Sequence, residues 1–165
     1  MAIAVMPDAE RLVIDALIAD ADVAAIVDGR VYGVIPNVKV LPLVRVVRIG
    51  GQMADDGAPY WADAPALQID CWAERKAEAV SLGEVLRAVS ATRLPGRYPT
   101  GVIAAVGIGA MTYDPDTSFT PAKPRVRLSI DLVTRPPTAP APPAAAVVLS
   151  GAGAARRPPE RQEPR

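Results

Sequence analysis

The chain has 165 residues, half of them apolar, with 18 Lys/Arg against 18 Asp/Glu, one cysteine and no histidine. Zero net charge gives no general electrostatic attraction to nucleic acid or anionic membrane. A single cysteine excludes an internal disulfide and a cysteine-cluster metal site, and the lack of histidine removes the commonest general base, zinc ligand and pH switch.

The charge is uneven. Residues 1–135 hold 14 Lys/Arg and 16 Asp/Glu, and residues 136–165 hold 4 and 2. The opening "MAIAVMPDAERL" has no basic stretch ahead of an apolar one, as a signal peptide would. No segment approaches the roughly 18 apolar residues of a membrane span. A soluble protein made in a cytoplasm is expected.

"PDAERLVIDALIAD" starts with Pro7 and first-turn acids Asp8 and Glu10, and places Leu12, Val13, Ala16 and Leu17 on one face. This spacing predicts a helix. Asp20 or Asp22 is suited to cap a short second helix, "VAAIV", which Asp28-Gly29 ends. "RVYGVIP" reads as a short strand with a turn, and "LVRVVRIGG" as a longer one. Gly50 to Pro65 is rich in Gly, Asp, Ala and Pro and reads as a long loop.

From Leu67 the period is two: Leu67, Ile69 and Cys71 alternate with Gln68, Asp70 and Trp72, which predicts a strand with one wet face. Beyond Trp72 the period becomes helical at Ala79, Leu82, Leu86 and Val89, and Leu94-Pro95-Gly96 stops the helix. Gly101 to Asp114 reads as a strand with glycines suited to bends. After the loop "PDTSFTPAKP", Val126 to Thr134 alternates Val126, Leu128, Ile130 and Leu132 against Arg127, Ser129 and Asp131. The expected fold class is α+β: a mostly antiparallel sheet of about five strands with helices on one face. The other face presents Arg45, Gln68, Asp70, Arg127, Ser129 and Asp131, where cross-strand charge pairs are expected.

The expected folded domain is 1–135. From Pro136 the chain is Pro/Ala-rich with late arginines, an extension without the apolar surface to offset its own ordering entropy.

No reaction assembles from these residues. Cys71 falls on the apolar side of its strand with no histidine to activate it. Asp114 and Asp116 in "YDPDTS" lack the glycine and distal Glu of a calcium loop. Gly50-Gly51 lacks the rest of a phosphate loop, and Ser81 and Ser90 have no base. Asp70 and Asp131 would have to converge to hold a metal. No catalytic residue, metal or cofactor is expected. What remains is two long loops bearing large side chains: Met53, Tyr60 and Trp61 in the first and Phe119 in the second. Such loops suit protein contacts, since aromatic residues dominate interfaces.

In order, "DALIADADVAAIVDGRVYGVIP", "LPLVRVVRIGG", "LQIDCWAERKAEAVSLGEVLRAV" and "YDPDTSF…RVRLSIDLV" resemble the tail terminator, or tail completion, proteins of phages with long non-contractile tails. The likeness spans roughly residues 8–134 and lies in the order and spacing of the segments. It implies a virion protein without catalytic residues, assembled in the bacterial host cytoplasm. It further implies a homohexameric ring on the end of the tail tube, in contact with the major tail tube protein and with head-completion or connector proteins. Neither membrane nor specific nucleic-acid binding is implied, although the genome would pass through such a ring. The other readings are a different neck protein and a small ligand-binding domain with a pocket under its loops.

Overall fold

A computed structural model describes residues 5–53 and 62–137. Helix α1 (Ala9–Ala19) starts where the Asp8 carboxylate accepts the Arg11 N–H at 3.2 Å. Asp20 closes α1 and opens α2 (Ala21–Val27), accepting from the N–H groups of Asp22 and Val23 at 3.0 and 3.2 Å. Asp28, in the left-handed region at φ 49°, ends α2. The remaining elements are β1 (Val31–Tyr32), β2 (Leu43–Met53), β3 (Asp63–Trp72), α3 (Lys76–Thr92), β4 (Gly96–Tyr98), β5 (Gly101–Tyr113) and β6 (Arg125–Arg135).

The strands form one sheet in the order β1-β2-β3-β6-β5-β4, antiparallel except for the β1–β2 pair. The fold is α+β, with six strands where about five are expected. The additional strand is β4, three residues paired at Gly96↔Ile103 and Tyr98↔Gly101. "GRY" has no periodicity to announce it; the pairing with β5 makes it a strand.

The alternating apolar residues Val44, Val46, Leu67, Ile69, Cys71, Val126, Leu128, Ile130 and Leu132 line the face covered by the helices. Helix α3 adds Ala79, Leu82, Leu86 and Val89, and α1 adds Leu12, Val13 and Leu17. At Gly83, α3 lies close against the sheet: a Cβ there would stand 2.8 Å from Val126 Cγ1. Cys71 is buried, its thiol donating to the Ala79 carbonyl at 3.6 Å, and burial pushes its pKa up to about 12. The thiol is a packing group.

The expected loop from Gly50 to Pro65 is shorter. β2 runs on to Met53 and β3 begins at Asp63, paired through Gly50↔Ala66, Gly51↔Pro65 and Met53↔Asp63. A register shift between Arg48 and Gly50 admits the extra residue. Gly51 holds φ +102°, and a Cβ there would lie 2.2 Å from the Ala64 carbonyl oxygen. A bulge disguised the strand as a glycine-rich turn. Arg48 fixes this region by bidentate pairing to the buried Asp63 at 2.8 and 3.2 Å.

Candidate functional site

The sheet face away from the helices holds a row set by register. Arg45 on β2, Asp70 on β3 and Arg127 on β6 stand directly opposite one another, and Leu43, Trp72 and Arg125 form the adjoining row. Three expected residues are thereby brought together. The Asp70 carboxylate pairs with the Arg45 guanidinium through Oδ2, accepts from Gln68 Nε2 at 2.7 Å and lies 3.9 Å from Arg127 Nε.

This face is less wet than its alternation predicts. Asp70 is 0 % exposed and Trp72 is 1 % exposed. Both are buried because long side chains close over them: the Arg45 and Arg125 guanidinium carbons stand 5.6 and 5.8 Å from the Trp72 ring centre. The indole N–H donates to Asp116 at 2.9 Å. Arg125 reaches Asp114 at 2.5 Å and Asp116 at 3.6 Å, and Arg127 reaches Asp114 at 2.8 Å. Three arginines thus meet three carboxylates, a self-neutralised network. Its effect is mechanical: it ties the loop after β5 to the middle of the sheet. Burial raises the Asp116 pKa, but hydrogen bonds from Ser118 and Trp72 and the charge of Arg125 outweigh it and hold the carboxyl at about 2. A carboxylate held so low is no proton donor at neutral pH.

Asp131 stands apart. It is exposed and lies opposite Ala66 and Gly107, four residues from Arg127 and so about 13 Å along the strand. Asp70 and Asp131 do not converge, and among the described residues no cluster of three or more metal-ligating groups occurs. The neighbouring groove, lined by Gln68, Thr112, Asp114, Arg127 and Ser129, is shallow and open.

Of the loop residues, Tyr60 and Trp61 lie outside the described residues, and Met53 is the last residue of β2. Phe119 is half-buried beneath Lys39, whose Nζ is 4.3 Å from the ring centre. That contact joins the 114–124 loop to the 33–42 loop, where Val34, Val38 and Val40 are 88 %, 80 % and 55 % exposed. The three valines are contact candidates that strand periodicity does not reveal. Their signal is an apolar run broken by Pro36 and Pro42, which is too irregular for a strand and too apolar for an idle loop.

Residues 11–119 match the family described as tail completion protein gp17. The chain belongs to that family. Its place is therefore among the structural components of a phage virion's tail. Among solved structures it is similar to a chain of the virion of a native gene transfer agent particle, with a TM-score of 0.57 and 15 % identity, covering 77 % of this chain and 94 % of that one. At that identity the likeness is one of fold. No curated protein matches. Within this tail completion fold, the buried charge row is an internal brace, and the 33–42 loop presents Val34, Val38 and Val40 to solvent. No described helix is long and apolar enough to cross a membrane.

Proposed function

We propose that the protein forms a ring, hexameric by family resemblance, that seats on the end of the tail tube, stops its growth and offers the surface to which the head joins. The observation that supports this most is the family match over residues 11–119. The exposed Val34, Val38 and Val40, on a loop tied to the 114–124 loop through Lys39 and Phe119, supply an apolar contact. The work is assembly, without a reaction. One ring face matches the open end of a helical stack and the other fails to template a further layer. Residues 1–135 are the assembling domain and 136–165 an extension to it.

Electron microscopy of the protein mixed with tail tubes tests this reading. A ring on one end of each tube is the expected image. Rings on head portals alone would make it another neck protein, and a monomer indifferent to tubes would favour the small ligand-binding domain.

A further inference from the structure

Among the described residues, three charged side chains stand without a partner: Arg97 on β4, and Asp131 and Arg135 on β6. Every other acidic or basic side chain there has a salt bridge, a hydrogen bond or an aromatic ring to meet it. Register puts all three on the face of the sheet away from the helices. Gly96, Ile103 and Thr134 form one row, and its Ile103 and Thr134 are buried on the helix side. The next row, Arg97, Val102 and Arg135, therefore points outward. Asp131 shares that outward face, four residues before Arg135 and about 13 Å from it along β6. The two lie at matched distances either side of Val133. Their surroundings are small: Ala105 is opposite Val133, and Ala66 and Gly107 flank Asp131.

We propose that this face docks against the same face of a second copy, with Asp131 of each paired to Arg135 of the other. A two-fold axis passing by Val133, in the plane between the sheets and across the strands, exchanges the two positions. It brings each Asp131 onto the Arg97–Val102–Arg135 row of the other copy, so the contact is isologous, one patch meeting itself. An axis along the strands would instead oppose Asp131 to Asp131 and Arg135 to Arg135, so charge selects the orientation. Packed sheets stand about 10 Å apart, a gap that an arginine and an aspartate span together. The small Ala66, Ala105 and Gly107 leave that approach clear. The face covers roughly 20 Å each way, or about 400 Å² per copy, half the share of a standard interface. The dimer is therefore a weak one, formed at high concentration. A closed ring uses head-to-tail contacts, so this pairing is a state of the free protein and separate from ring assembly.

Sedimentation equilibrium of the full chain over a roughly hundredfold concentration range tests this. A monomer–dimer equilibrium is expected, loosened by salt. D131R and R135D should each weaken it at least about tenfold, because the exchanged pairs become like charges. Both positions are exposed, so the variants keep the fold. Mixing D131R with R135D should restore association, since every cross-pair then joins an arginine to an aspartate. Single variants that associate as the parent does would overturn the proposal. So would a parent that stays monomeric, or a mixture no tighter than its components. None of these readings depends on whether the protein caps tubes.

Discussion

Trp72, at the end of β3, donates its indole N–H to Asp116 at 2.9 Å, across 44 positions of sequence. The bond anchors the loop after β5 to the sheet centre and shares its acceptor with Arg125. Asp116 is held at about 2, below its ordinary 3.8. Its contribution to stability is therefore present above about pH 4 and lost as pH falls through 2. Asp116→Asn should remove up to about 2 kcal/mol at pH 6 and almost nothing near pH 2. Urea midpoints of both proteins from pH 2 to 6 give the difference. A gap that did not narrow with acid would refute the assignment.

Asp70 is buried between Arg45 and Arg127, which are themselves partly in water. Asp70→Ala is expected to cost about 1–3 kcal/mol, since Arg45 loses its carboxylate while Arg127 keeps Asp114. Arg45→Met with Asp70→Leu should recover much of that loss. Chemical denaturation of the single and double variants measures it.

Gly83 and Gly51 have no room for a side chain. Gly83→Val brings a branched side chain against Val126, already 2.8 Å from the Cβ position, and should cost more than about 2 kcal/mol. Gly51→Ala meets the Ala64 carbonyl and a positive φ together and should disrupt the β2–β3 hairpin. Melting temperatures that matched the parent would contradict both.

The exposed valines should matter for assembly and not for folding. Changing Val34, Val38 and Val40 together to Ser is expected to shift stability by less than about 1 kcal/mol, because they bury little. Capping of tail tubes, scored by microscopy, should fall sharply. A triple variant that capped normally would exclude this loop from the contact.

Cys71 should resist labelling. With its pKa near 12 and its sulfur enclosed, a thiol reagent should react slowly with the folded protein and rapidly after denaturation. Cys71→Ser should cost about 1–3 kcal/mol by placing a hydroxyl among aliphatic groups. Fast native labelling would overturn the packing described for β3.

Local periodicity determined much of this protein. The two-residue alternation around Ile69 and Ile130 and the helical spacing of Ala79, Leu82 and Leu86 specify strands, a helix and the face each buries, because burial selects one side of a repeating backbone. The register that sets Asp70 between Arg45 and Arg127 is a relation among three strands, and alternation along one strand assigns its face but not its neighbours. Trp72 and Asp70 therefore read as wet until the arginines of other strands close over them. β4 became a strand only by pairing with β5, and β2 pairs on past the bulge between Arg48 and Gly50 where the sequence suggested a loop. The separation of Asp131 from Asp70 and the bracing of Phe119 by Lys39 likewise belong to the tertiary structure, because each is a distance between segments that the chain's own spacing leaves free.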